Sequence, residues 1–152
     1  MHNEIKAILR RWGAVRGMIS RCTSDLKEIV DELDAIADVH PQALTGMPHS
    51  GQISNPTEQA VFRRMDMLDE CRDRMRMLLN SLETEERFER EVEGLFVWLT
   101  NLQETVIRER YRTGLTQEEI AETLNYSDRH IRRIEREALT ILEGHAHEKN
   151  LL

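Results

Sequence analysis

Between Ser127 and Arg136 the chain reads Ser-Asp-Arg-His-Ile-Arg-Arg-Ile-Glu-Arg, four arginines against one aspartate and one glutamate. A guanidinium is a planar fork of donors that can grip guanine O6 and N7 together, and each such pair discriminates between bases by ~1–3 kcal/mol. If the segment is helical, Ile131 and Ile134 fall on one side, and Asp128, Arg129, His130, Arg132, Arg133 and Arg136 on the other. That outward row is the candidate base-reading set. The competing chemistry is thinner. His145, His147 and Glu148 stand in a short polar tail after Gly144 with no further ligand at useful spacing, so no metal is expected there. His40 and His49 have no partner nearby. Glu85, Glu86, Glu89, Glu91 and Glu93 alternate with arginines as a solvated helix face would. Cys22 and Cys71 match no metal spacing and read as small core residues of a reduced protein. No glycine-rich phosphate loop and no nucleophile–base pattern is present, so neither a catalytic residue, nor a cofactor, nor enzymatic activity is expected.

The arginines need a short helix before them and a tight turn. Thr116 is a good N-cap, and Glu119 three residues on completes a capping box. Ile120, Ala121 and Leu124 form the inner face of a short helix, with Ala121 small where two helices cross. Asn125 sits where a left-handed turn residue is required. Tyr126 can pack into the turn, and Ser127 caps the second helix, which buries Ile131, Ile134, Ala138, Leu139 and Leu142. Cap, small residue, turn, cap and apolar pair together predict a helix-turn-helix over about 102–143. In such units the N-terminal half of the second helix carries the base contacts.

The rest of the chain reads as helices around one loop. Ile5, Ile8, Trp12, Val15, Ile19, Cys22, Leu26, Ile29, Leu33 and Ile36 follow an unbroken 3,4 spacing, the seam of a coiled-coil helix. Gly13 and Gly17 weaken that helix locally. The stretch 40–56 holds all three prolines, Pro41, Pro48 and Pro56, with Gly46 and Gly51, and is a loop. Val61, Met65, Leu68, Cys71, Met75, Leu78 and Leu82 form a second seam, so 1–83 is expected to fold back as an antiparallel helical hairpin, with Cys22 and Cys71 at similar distances from the loop. Thr84 is expected to cap a linking helix over 84–101, whose stripe is Phe88, Val92, Leu95 and Leu99, with an interruption at Thr100-Asn101. Trp12 and Trp98 read as core, and 144–152 as a polar tail. The expected fold is all-α: hairpin, linking helix, helix-turn-helix.

Composition agrees. The 152 residues are 39% hydrophobic and 32% charged, enough to bury a core, and only 5% aromatic. No apolar run approaches the ~20 residues of a membrane span, and a cytoplasmic protein is expected. The net charge of −7 argues against nucleic acid until its distribution is considered: 57–100 holds 7 basic and 11 acidic residues, while 127–136 is locally basic.

Val106-Ile-Arg-Glu-Arg-Tyr111, Leu115-Thr-Gln-Glu-Glu-Ile-Ala121, Ser127, Ile131-Arg-Arg-Ile-Glu135 and Ala138-Leu139 resemble region 4 of bacterial sigma factors. The resemblance implies that Arg129, His130, Arg132 and Arg133 read bases of a −35 element. It implies that Arg112, Thr116 and Gln117 face phosphates, and that the unit touches RNA polymerase; Ser127, at the start of the second helix, is also expected to contact phosphate. Asn125 stands where glycine is usual, and Arg129 and Arg133 where glutamate and glutamine are common. The layout of long helix, Gly46–Gly51 loop, second helix and sigma-like end is similar to phage late-gene transcription regulators of the ArpU and RinA type. The expected partner is double-stranded DNA, with RNA polymerase and a second copy bound through the N-terminal helices as further partners. A phage DNA-packaging protein, such as a small terminase subunit, and a sigma-like module that binds protein are the alternatives left open.

Overall fold

The computed structural model describes residues 1–37 and 55–152. Among the described residues the fold is all-α, with five helices: α1 (Asn3–Ala37), α2 (Asn55–Glu93), α3 (Asn101–Arg108), α4 (Gln117–Leu124) and α5 (Asp128–Glu148). A single 3-10 turn, Phe96–Trp98, precedes α3, and a π turn, Glu109–Thr113, follows it. The loop expected at 40–56 lies almost wholly outside the described residues, together with His40 and His49. Two compact units are present: 1–20 with 83–152, and 21–82.

In the unit 21–82, α1 and α2 lie antiparallel. Arg64 Nη2 donates to the Ile36 carbonyl at 2.6 Å, while Cys71 Sγ and Arg74 Nη1 reach Glu32 at 3.6 and 3.0 Å. Every seam position of α1 is buried or half-buried, as its spacing predicts. The seam of α2 differs from expectation. Val61, Met65 and Leu68 are exposed, and the inward row starts instead at Arg64 and continues through Cys71, Met75, Leu78 and Leu82. Arg64 occupies an inward register position with its head on a backbone carbonyl, which turns Val61 and Met65 to the flank; hydropathy alone would give that position to an apolar residue. Both cysteines are free thiols, and Cys71 faces Glu32.

In the other unit, α2 runs straight through Thr84. A threonine caps only where the chain already leaves the helix, and Glu83, Glu85, Glu86 and Arg87 are good helix formers. The helix ends at Gly94 instead, so the linking helix expected over 84–101 is the end of α2 plus the 3-10 turn. That turn places Phe96 edge-on to Trp12, centroids 5.0 Å apart, in the core. Trp98, expected in the core, is turned out with 57% of its surface exposed and stacks on His145 at 4.4 Å.

This unit has two cores. Val106, Ile120, Ala121, Ile131 and Ile134 form the small core of the helix-turn-helix. A larger one joins Ile5, Leu9 and Trp12 of α1 to Val92 and Leu95 of α2, Ile107 of α3, and Leu139 and Leu142 of α5. The first turns of α1 thus belong with the helix-turn-helix, a departure from the expected division at 83. The segment 144–152 departs as well. α5 continues through Gly144 to Glu148, Ala146 is fully buried, and Leu151 and Leu152 pack on the larger core.

Candidate nucleic-acid interface

Local chemistry sets the frame of the site. Thr116 Oγ1 accepts from the Glu119 N–H while the Glu119 carboxylate accepts from the Thr116 N–H, the reciprocal box that starts α4. Those bonds, from the Thr116 backbone first and its side chain second, hold the Glu119 carboxyl below its usual range. Asn125 ends α4 at φ 56°, in the left-handed region. The Tyr126 N–H donates to the Ala121 carbonyl, and Ser127 Oγ accepts from the His130 N–H at the start of α5. Thr100 with Gln103 forms a second capping box, at α3. α5 packs on α3 and α4 through Ile131, Ile134, Ala138, Leu139 and Leu142, all buried.

The opposite side of α5 is open. Ser127, Arg129, His130, Arg132, Arg133 and Arg136 line one shallow groove of about 450 Å³. Five of the six residues expected to read bases are therefore brought together, with Ser127 at their head. Arg129, Arg133 and Arg136 follow at i, i+4 and i+7, one row along the helix. Arg129 and Arg136 make no ion pair among the described residues. Arg133 lies 3.7 Å from Glu137 and 3.1 Å from His130 Nδ1, and the His130 ring tilts against Tyr126 at 5.0 Å. Asp128 is the sixth. It pairs with Arg132 at 2.8 Å and lines a separate hollow with Glu118, Glu122 and Asn125.

The residues expected to face phosphate are scattered. Thr116 is exposed at its cap. Gln117 donates to Glu135. Arg112 is turned into the protein with only 16% of its side chain exposed. It donates to Glu89 at 2.6 Å and to Glu93 at 3.1 Å, and it lies 4.0 Å over the Trp12 ring. Of the five glutamates expected as a solvated face, Glu86 and Glu91 are exposed and three are acceptors: Glu85 takes Arg11, Glu89 takes Arg16 and Arg112, and Glu93 takes Arg108 and Arg112. The alternation of signs marked a charged face correctly. It could not show that arginines from α1, α3 and the π turn would be laid upon it.

One anchor escaped the sequence reading. Glu135, on the same helix as the arginines, is 6% exposed. It accepts from the Tyr111 hydroxyl at 3.1 Å and from Gln117, with Arg110 Nε at 4.0 Å. Burial, reinforced by the Glu135 charge, pushes the Tyr111 phenol up, so it stays protonated and donates. These bonds tie α5 to the π turn and fix the rotation of its arginine row.

Among the described residues no three of His, Cys, Asp and Glu stand close enough to hold a metal, and no helix is long and apolar enough to cross a membrane. Neither the curated proteins nor the solved structures contain a match to the chain. Residues 97–142, under a third of the chain, match the family described as Sigma-70, region 4. That segment, whose second helix carries the groove, is a sigma-region-4-like helix-turn-helix, a DNA-binding module.

Proposed function

We propose that this protein is a sequence-specific transcription regulator that reads promoter DNA with the first turns of α5 in the major groove. The observation that carries the reading is the groove in which Arg129, His130, Arg132, Arg133 and Arg136 converge on the solvent side of α5, while its other side is locked into two cores. A recognition helix needs that division: a rigid apolar back and an unobstructed row of forked donors. Thr116, Gln117 and Ser127 are proposed as phosphate contacts that position the reader, and the exposure of Thr116 and Ser127 at helix starts supports this for those two. On the resemblance of the whole layout, the regulator activates late genes of a phage or prophage in the bacterial cytoplasm. RNA polymerase is its second partner. Support for a protein contact comes from Val97 and Trp98, an exposed apolar pair at the start of the matched segment. Support for a homodimer through the N-terminal helices comes from Val61, Met65, Leu68 and Leu79, exposed along one flank of α2.

The test is footprinting of the DNA flanking the protein's own gene, followed by anisotropy titration of the protected fragment against a random duplex. Specific binding should exceed random binding by about 10³-fold or more. Arg129→Ala and Arg133→Ala should relax base preference, each by ~1–3 kcal/mol at the bases contacted. Equal affinity for both duplexes, or no effect of either substitution, would refute the reading.

A further inference from the structure

Beside the groove on α5 lies a larger cleft of about 730 Å³, walled on its far side by α1. Lys6, Arg10 and Gly13, at i, i+4 and i+7 of α1, face Arg132, Arg136 and Leu139 of α5, with Arg110 and Tyr111 of the π turn between them. Five cations therefore line one cleft. Its acid is Glu135, whose oxygens are already occupied by Tyr111, Gln117 and Arg110. Lys6 and Arg10 make no ion pair among the described residues, although the protein as a whole is acidic. Arg132 and Arg136 line both this cleft and the α5 groove, so the two form one basic surface.

The position of α1 is not adjustable. Ile5 and Leu9 are fully buried in the core that holds Leu139 and Leu142. His2 Nδ1 lies 2.6 Å from Glu143 of α5. At Gly13 the approach is so close that a Cβ would stand 1.8 Å from the Tyr111 carbonyl oxygen. These contacts hold Lys6 and Arg10 rigidly at the edge of the recognition surface. A cleft lined by five cations, of which Lys6, Arg10 and Arg136 make no ion pair among the described residues, matches a chain of phosphates better than an uncharged ligand.

We propose that the first turns of α1 form a second, sequence-independent contact with DNA, in which Lys6 and Arg10 grip backbone phosphates flanking the site read by α5. The inference rests on the DNA-reading role of α5. It adds a part of the chain that lies outside 97–142, and it extends the footprint along the duplex past the bases that α5 touches. Phosphate contacts of this kind set register and orientation and carry no base preference.

The test uses the full chain and two duplexes of equal length, the footprinted fragment and a random sequence, titrated over a series of salt concentrations. Lys6→Gln with Arg10→Gln should weaken both duplexes by the same factor, about tenfold, and lower the slope of log K against log salt by about 1.8, since each lost phosphate contact removes ~0.9. Arg21→Gln with Lys27→Gln removes the same charge from α1 outside the cleft and should leave the slope unchanged. An unchanged slope in the Lys6/Arg10 variant, with Arg129→Ala still altering base preference, overturns the α1 contact and leaves the α5 reading intact. Equal losses and equal slope changes in both double variants overturn it in favour of a net-charge effect. Failure of the unaltered protein to prefer either duplex overturns both readings.

Discussion

Replacing Gly13 by alanine tests how α1 is seated against the helix-turn-helix, and Gly17 supplies the internal control. Both glycines lie inside α1 four residues apart, and in a helix interior each should be stabilised by alanine by ~0.5–1 kcal/mol. At Gly17 nothing lies within 4 Å of a new Cβ, so the gain should appear in full. At Gly13 the Cβ would stand 1.8 Å from the Tyr111 carbonyl oxygen and 2.9 Å from its carbon. Bringing that oxygen to the 3.0 Å that marks the edge of real Cβ contacts requires a shift of about 1.2 Å (3.0 minus 1.8). The obstructing atoms are backbone, so no side chain can swing aside. Overpacking of this kind costs ~1–3 kcal/mol. Less the propensity gain, Gly13→Ala should destabilise by ~1–2 kcal/mol, with Gly17→Ala changing in the opposite direction. For a chain of this length each kcal/mol moves the melting midpoint by about 2–4 °C. Thermal melts followed by circular dichroism should place the Gly13 variant about 2–8 °C below the parent and the Gly17 variant slightly above it. Trp12 emission reports the same event locally, because displacement of α1 opens the site where Trp12 is fully buried. A Gly13→Ala protein as stable as Gly17→Ala would refute the close approach, and with it the rigid placement of Lys6 and Arg10.

Three further outcomes are expected. Arg112→Ala should destabilise by ~2–4 kcal/mol in urea titration, because it strips Glu89 and Glu93 of a shielded partner; a stable variant with uniformly weakened DNA binding would return Arg112 to the phosphate-facing set. Iodide should quench only part of the tryptophan emission, from the exposed Trp98, and Trp98→Phe should leave a blue-shifted, protected signal from buried Trp12; full quenching would contradict the core assigned to Trp12. Glu119 titrates below its usual range in the folded protein, so its contribution is present above the unfolded value and disappears as pH falls through the folded one. The stability gap between the parent and Glu119→Ala should thus be widest near neutral pH and close in acid, and a gap independent of pH would discount the capping box.

The features legible in the sequence were those whose partners lie within four residues. Thr116 with Glu119, Ser127 with the third amide of its helix, and Asn125 in the left-handed region all took their expected places. The same holds for the unbroken seam of α1, because an apolar period needs only some partner, not a particular one. What failed depended on which partner arrived. Val61, Met65 and Leu68 keep a perfect spacing, yet Arg64 takes the inward position through one carbonyl. Trp98 follows a buried stripe, but Gly94 ends the helix and Phe96 claims the slot beside Trp12. Arg112 sits in a motif that implies phosphate contact, and only the fold reveals two glutamates about twenty residues upstream waiting for it. Lys6 and Arg10 were invisible for the same reason: more than a hundred residues separate them from the helix they flank.

The acidity of the chain fits DNA binding once its charges are placed. Glu85, Glu89 and Glu93, on one helix, accept from Arg11, Arg16, Arg108 and Arg112, which couples α1, α3 and the π turn to α2. Each of these arginines is paired with a carboxylate, so its charge is largely offset in the field outside. Among the described residues Lys6, Arg10, Arg129 and Arg136 have no such acceptors, and they share one surface with Arg132 and Arg133. The protein thereby separates its two uses of arginine, and its net charge of −7 suppresses adsorption of DNA on the remaining faces. On the proposed reading few phosphate contacts support binding, so non-specific affinity should be low and base contacts should weigh more in the total. For such a reader the cations supplied by α1 matter out of proportion to their number. In the proposed complex they would add phosphate contacts next to the α5 arginine row without making the rest of the surface attractive to every duplex.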